Sequence, residues 1–203
     1  MLQMTGERQV ATDLSGIKPD HRQRYEFAVK ILEELNNPVV MDAACGVGYG
    51  TYIMAKAGHT TIGVDLSQDA IDMANTHYSV KELTQYYQRD VVRDDFPDLP
   101  IDVIVSFETV EHVQEDEILL SKFSRTAPYL IVSVPNEEVV PYTKETHPFH
   151  FKHYSPAEFE ALLEKTGWIP LEWYTQYDKS PGMVYEADDG RSLIVFARSK
   201  ECM

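Results

Sequence analysis

The chain has 203 residues, 43% hydrophobic and 25% charged, with 33 acidic against 18 basic side chains and a formal net charge of −15. That is ordinary globular material, long enough for one well-cored domain, and the acidic balance disfavours direct binding to a nucleic-acid backbone, which needs a basic footprint. No apolar run reaches membrane-span length and the first residues lack the apolar core of a secretory signal, so a cytoplasmic protein with no membrane partner is expected.

Cys45 stands in a glycine turn and Cys202 beside the C-terminus, a usage that predicts reduced thiols and no disulfide. No acyl- or thiol-transfer constellation surrounds Cys45, so it reads as a small residue filling the turn.

In chain order, residues 1–19 read as a polar N-terminal arm or lid without a periodic apolar face. Asp20 is placed to cap a helix from about His21 to Leu35, where Tyr25, Ala28, Val29, Leu32 and Leu35 recur at helical steps. Val39 to Asp42 reads as a first strand, which turns through Ala43-Ala44-Cys45-Gly46-Val47-Gly48-Tyr49-Gly50-Thr51 into a helix ending near Lys56. Thr60 to Asp65 is a second strand, and Ser67 caps the next helix. Leu83 to Asp90 is a third strand; Ile101 to Phe107, nearly all apolar, is a fourth with the pattern of a doubly covered parallel strand.

After Glu108-Thr109-Val110-Glu111-His112-Val113 comes a helix to about Ser124, then a fifth strand from Tyr129 to Val134. Residues 135–155 have no regular period, which suits an insertion covering a substrate. Ser155-Pro156 is an N-cap followed by proline at the first helical position, and Gly167 ends that helix. Trp168 to Tyr177 and Ser192 to Arg198 are the last two strands. The alternation predicts an α/β fold: a mostly parallel seven-stranded sheet flanked by helices, with an antiparallel edge pair, over a single domain at residues 20–203.

In such sheets a ligand lies across the carboxyl ends of the strands. The glycines of the first turn stand at i, i+2 and i+4, whereas a dinucleotide fingerprint has its third at i+5, where this chain has Thr51. Gly46 and Gly48 let the backbone approach a ligand where a Cβ would collide. Asp65, at the end of the second strand, is placed to accept both hydroxyls of a ribose. Asp90 can receive an adenine amino group while the Val91 amide donates to a ring nitrogen. Asp42, under the turn, can face an ammonium or a cationic sulfur, which a carboxylate stabilises, whereas it would repel a pyrophosphate.

These residues resemble the class I S-adenosylmethionine-dependent methyltransferases. The resemblance is carried by Val40 to Gly50, Gly63 to Ser67, Gln88 to Val91 and Ser106 to Val113. The chain is further similar to a small-molecule and sugar-type branch, through Thr5 to Arg8, His21 to Ala28 and Pro135 to Ser155. The resemblance covers nearly the whole chain. It implies a Rossmann-like class I methyltransferase fold, with S-adenosyl-L-methionine as cofactor and S-adenosyl-L-homocysteine as product. It implies that Asp42 and the backbone of Ala44, Gly46 and Gly48 hold the methionine part, and that Asp65 holds the ribose with Leu66 beside the adenine. It further implies that Asp90 and Val91 read the adenine edge, Glu108 lies beneath the sulfonium, and Arg24 and Tyr25 close over the amino-acid end. The family's usual Pro-Gly-Gly turn before the fifth strand is replaced here by Thr126-Ala127-Pro128-Tyr129, remote from the pocket.

Methyl transfer from a sulfonium is an in-line displacement in which the protein aligns the partners and takes a proton where the acceptor must lose one. His112, His150 and Glu108 are the candidate catalytic residues, with His147, His153 and Glu111 as further candidate bases. The spacing His147-x-x-His150-x-x-His153 suggests a metal, but Pro148 breaks any helix that would align the three, so none is expected. Tyr142, Pro148, Phe149, Phe151 and Tyr154 make residues 135–155 aromatic and suit a small-molecule or saccharide acceptor. The expected reaction is methylation of its oxygen or nitrogen. The rivals are a methyltransferase for protein or nucleic acid and a cofactor-binding module without chemistry. The acidic balance and the missing Asn/Asp-Pro-Pro-Tyr motif after the fourth strand count against amino groups of DNA or RNA.

Overall fold

The computed structural model describes residues 8–177 and 184–202. The chain divides into two compact units, Met1–Asp102 and Val103–Met203.

In the first unit, α1 (Pro19–Glu34) starts from Lys18 with no side-chain cap. The expected Asp20 cap is displaced because Pro19 takes the first helical position, where its fixed φ and missing N–H cost nothing, leaving Asp20 inside the first turn. The buried face is Arg24, Tyr25, Ala28, Ile31 and Leu32. Leu35, expected on that stripe, has already turned extended at φ −97°, ψ 135°. Strands β1 (Val40–Ala43), β2 (Thr61–Asp65) and β3 (Thr84–Gln88) run parallel with β2 in the middle, Met41 opposite Ile62 and Gly63 opposite Tyr86. Helices α2 (Tyr49–Lys56) and α3 (Gln68–His77) are the crossovers that parallel pairing demands. β1 and β2 are buried at every position, as their apolar runs imply. Asp90 lies beyond the end of β3, in a turn rather than in the strand.

Thr5 to Glu7 of the N-terminal arm fall outside the described residues. From Arg8 onward the arm is anchored: Val10 and Leu14 pack against Val47, Ala70 and Tyr78, and Tyr78 Oη donates to the Ala11 carbonyl at 3.0 Å.

In the second unit, β4 (Val103–Phe107) and β5 (Tyr129–Pro135) are parallel. Three further strands follow: β6 (Trp168–Gln176), β7 (Val184–Tyr185) and β8 (Ser192–Ser199). β8 pairs antiparallel with both β5 and β6, and β7 pairs antiparallel with β6. The last long strand is therefore interior, consistent with its almost complete burial, and the sheet edge belongs to β6 and β7. With β7 the described residues hold eight strands instead of seven; two residues are too few to give a readable alternation. Helices α4 (Asp116–Thr126) and α5 (Pro156–Lys165) complete the unit. The Ser155 start of α5 is a full capping box, with Ser155 and Glu158 each bonded to the other's amide. Trp168, fully buried, donates its indole N–H to the Leu120 carbonyl at 3.0 Å and ties β6 to α4.

Parallel strands with helical crossovers, closed by antiparallel strands late in the chain, make this a Rossmann-like α/β fold. Among the described residues no helix is long and apolar enough to cross a membrane.

Candidate functional site

In the first unit two polar centres, Asp42 in β1 and Asp65 at the end of β2, border the loop between β1 and α2. Asp42, fully buried, accepts from Tyr25 Oη at 3.0 Å and from Thr51 Oγ1 at 2.7 Å. Burial outweighs these two bonds and lifts the Asp42 carboxyl to about 6. Both oxygens thus serve the fold as well as any ligand: they fix Tyr25 of α1 and Thr51 of α2 against the end of β1. Thr51, noticed in the sequence only for standing where a dinucleotide loop has glycine, is the second donor. Arg24 is buried beside Tyr25 on the same helix.

Ala44 and Gly46 adopt left-handed backbone, at φ +62° and +56°. A Cβ on Gly46 would meet nothing within 4 Å, so the chain leaves open space above it. Gly48 differs from its sequence reading. A Cβ there would come within 2.7 Å of Ala74 Cβ and 2.9 Å of the Tyr86 ring, and φ is +90°, so internal packing and backbone conformation already require glycine whether or not a ligand lies against it. Cys45 is buried and its thiol is pushed well above its usual range, by burial first and then by Asp42, which suits a turn filler.

Asp65 is the second centre. One oxygen accepts from the Gly46 amide at 2.9 Å; the other accepts from the Ser67 amide at 2.8 Å and from the Arg8 guanidinium at 3.1 Å. The carboxylate therefore lies against the glycine turn. Arg8 is a partner that the motif Thr5 to Arg8 did not reveal, since nothing in its spacing points to Asp65. Leu66, next along, is 65% exposed, an apolar face turned to solvent. Asp90 closes its own turn, accepting from the Val92 and Arg93 amides at 2.9 and 3.2 Å. Burial would raise its pKa, but those bonds and the Arg93 charge hold it below the ordinary value. Val91, next along, is buried.

In the second unit Glu108 follows β4 with φ +49°, a conformation costly for a residue with a Cβ. Ser133 of β5 holds it, donating to Glu108 Oε1 at 2.8 Å and receiving the Glu108 amide at 3.0 Å. Glu111 and His112 stand in a 3-10 turn, Val110–His112, and α4 begins later, with Glu115 as its N-cap. His112 Nδ1 lies 3.1 Å from the Phe149 carbonyl, and its ring centroid is 4.4 Å from that of His150.

The histidine-bearing loop corrects the expectation that Pro148 keeps its imidazoles apart. A turn closed by His150 N–H to the His147 carbonyl at 3.1 Å does what a helix would have done. The centroids of His147 and His153 lie 5.1 and 4.9 Å from that of His150. His150 and His153 are buried and bonded ring to ring, Nδ1 to Nε2, at 2.7 Å. Burial, then the neighbouring charges of His112, His153 and His147, depress the His150 pKa to about 3. Of the aromatic residues in this segment, Phe149 and Phe151 are half exposed. Tyr154 instead belongs to the core, 1% exposed, with its hydroxyl on Asp116 at 2.9 Å.

The fold has counterparts among solved structures. Magnesium protoporphyrin IX methyltransferase from Synechocystis PCC 6803, solved with bound SAH, superposes with a TM-score of 0.70 at 18% identity, covering 96% of this chain and 90% of that one. A family described as the methyltransferase domain matches residues 41–127. Residues 41–127 of the chain are a methyltransferase domain. A probable S-adenosylmethionine-dependent methyltransferase of Mycobacterium tuberculosis is 26% identical over 176 residues, 84% of this chain and 63% of that protein. The ubiquinone biosynthesis O-methyltransferase of Hydrogenovibrio crunogenus is 23% identical, over 71% of this chain and 67% of its own length. The chain thus spans less than two thirds of the mycobacterial relative's length. The family match runs from β1 into the residue after α4, so it takes in the glycine turn, Asp65 and Asp90, and the Glu108 to His112 stretch, and stops short of the histidine-bearing loop.

Proposed function

We propose that the protein transfers a methyl group from S-adenosylmethionine to an oxygen of a small, partly apolar acceptor. One observation carries the cofactor half: the Asp65 carboxylate is bonded to the Gly46 amide at the glycine turn, beside a position where a Cβ would meet nothing. A carboxylate placed to accept ribose hydroxyls next to open, side-chain-free backbone fits an adenosine ligand, and the Asp42 carboxylate under the turn disfavours a phosphate there. When bound, the cofactor supplies a methyl carbon activated by a positive sulfur.

The chain's residues then divide the work. Asp65 receives the ribose hydroxyls as Arg8 gives way, and exposed Leu66 meets the adenine face. The Val91 amide reads the adenine edge beside Asp90. The backbone of Ala44, Gly46 and Gly48 lines the methionine part, and Asp42 supplies the negative charge that favours its ammonium while holding Tyr25 and Thr51 in place. Arg24 is assigned to the cofactor's carboxylate and Glu108 to the region beneath the sulfonium. His112 and His150 act on the acceptor, and residues 135–155 cover it, with Phe149 and Phe151 offering apolar contact. Oxygen is preferred over nitrogen because the likeness to an O-methyltransferase extends over 71% of this chain, whereas that to a phosphoethanolamine N-methyltransferase of Arabidopsis thaliana, 33% identical, extends over 41%; a cytoplasmic setting belongs to the same proposal.

Calorimetry with S-adenosylmethionine, followed by S-adenosylhomocysteine release over a panel of phenols, sugars and amines, tests this reading. Micromolar cofactor affinity with turnover confined to hydroxyl acceptors is the expected result. Turnover on amines alone would overturn the oxygen assignment, and binding without any turnover would favour a non-catalytic module.

A further inference from the structure

The second unit contains a cluster with the composition of a metal centre. Glu111, His112 and His150 each offer one ligand atom, and those atoms all lie within 4.8 Å of one another. Glu111 is fully buried, and its Oε1 is 4.0 Å from His112 Nε2.

The loop is stitched onto the turn that carries the other two. Phe151 N–H donates to the Glu111 carbonyl at 2.8 Å, and the Phe149 carbonyl faces His112 Nδ1 at 3.1 Å. A carbonyl only accepts, so His112 carries its proton on Nδ1 and keeps the lone pair on Nε2. His153 works the same way: its Nδ1 lies 2.6 Å from the Val140 carbonyl, which assigns the proton there and makes Nε2 the acceptor. His150 Nδ1, 2.7 Å from that Nε2, must then be a donor, and the lone pair of His150 also falls on Nε2. Two backbone carbonyls thereby set both imidazoles in the tautomer that a cation requires, as the outer partners of metal-binding histidines do.

We propose that Glu111, His112 and His150 form a binding site for a divalent transition-metal ion such as zinc, manganese or iron. Two imidazoles and one carboxylate with further positions open is a ligand set these ions accept. Bonds of about 2.1 Å in tetrahedral geometry put ligand atoms roughly 3.4 Å apart; small side-chain rotations close the present separations. The positions left open take the acceptor's oxygen, and the ion lowers the pKa of that hydroxyl, whose proton passes to solvent. This last role rests on the oxygen-methylating function proposed above; the site itself does not.

The test uses the full chain stripped with a chelator and then titrated with Co²⁺, followed by its visible absorption, with S-adenosylmethionine affinity measured in parallel. One equivalent of Co²⁺ is expected to bind, and stripping is expected to lower turnover at least tenfold, restored by adding the ion. Glu111→Gln, His112→Ala and His150→Ala should each weaken Co²⁺ binding at least tenfold, while His77→Ala, on an exposed position of α3, binds as the parent does. Circular dichroism checks each fold, and His112, the least buried of the three, serves should Glu111→Gln fail to fold. Absence of saturable Co²⁺ binding, or binding unchanged in His112→Ala and His150→Ala, overturns the site. Cofactor affinity retained in that case leaves the methyltransferase reading standing; Co²⁺ binding without cofactor binding overturns that reading and supports the site.

Discussion

Asp65 Oδ2 accepts the Gly46 amide at 2.9 Å, so the carboxylate proposed for the cofactor's ribose also holds the glycine turn in its shape. Asp65→Ala removes both roles. It should weaken S-adenosylmethionine binding by about 1–3 kcal/mol, the scale of lost hydrogen bonds to a charged group, as read by calorimetry. Unchanged affinity would reject the ribose assignment. Arg8→Ala should act the other way: removing a guanidinium that competes for Asp65 Oδ1 should strengthen binding or leave it level, and marked weakening would show that Arg8 contacts the cofactor itself.

Gly46 and Gly50 belong to one motif but answer to different constraints. A Cβ on Gly50 would lie 2.1 Å from the Tyr25 ring, whose hydroxyl is bonded to Asp42. Gly50→Ala should therefore destabilise the fold by about 2 kcal/mol or more through overpacking. Gly46→Ala meets no atom within 4 Å and carries only the strain of φ +56°, about 1–2 kcal/mol. Thermal melting and cofactor titration separate the two: Gly50→Ala should lose mainly stability, and Gly46→Ala should lose more affinity than its melting shift explains. Equal behaviour would mean that no ligand uses the space above Gly46.

The order of elements was legible because the strands carry continuous apolar runs and the turns carry Pro, Gly and capping Ser at fixed offsets. Ser155, Ser67 and Gly167 each act as their chemistry dictates. What the chain order could not show is which partners tertiary packing selects. Arg8 reaches Asp65 across 57 residues, and Ser133 reaches Glu108 across 25, and neither pair leaves a local pattern. The roles of Gly46 and Gly48 separate only once the Ala74 and Tyr86 side chains are in position. The histidines are a different case: their spacing is visible in the sequence, but only the folded turn around Pro148, closed by His150 N–H to the His147 carbonyl at 3.1 Å, brings their rings together.

Asp42 makes stability depend on pH in a defined window. Its folded pKa, raised to about 6 by burial, lies above the ordinary 3.8. Below pH 3.8 both states hold the proton and this group imposes no cost. As pH rises from about 4 to about 6 the unfolded chain releases its proton first, so stability falls, by about 3 kcal/mol at completion for a shift of about two units. Unfolding of the parent and of Asp42→Asn, measured from pH 4 to 7.5, should show that decline in the parent alone. A cation held beside Asp42 favours its ionised form, so cofactor affinity should rise over the same window. Parallel stability curves for the two proteins would refute the buried, proton-retaining carboxylate.

His150 carries the last prediction, because it is the buried residue through which the loop meets the 3-10 turn. Its ring contacts His112, His147 and His153, while its carbonyl accepts from Tyr142 Oη at 2.9 Å, so the backbone stays anchored when the side chain is cut back. His150→Ala should therefore leave S-adenosylmethionine affinity within about twofold while lowering turnover by roughly 10²-fold, the usual range for removing a group that handles the acceptor's proton or its alignment. Tyr142→Phe, which loses only the backbone contact, should cost far less. If His150→Ala turns over as the parent does, the imidazole has no part in the chemistry. If instead cofactor affinity and turnover fall together, the residue supports the fold and not the acceptor.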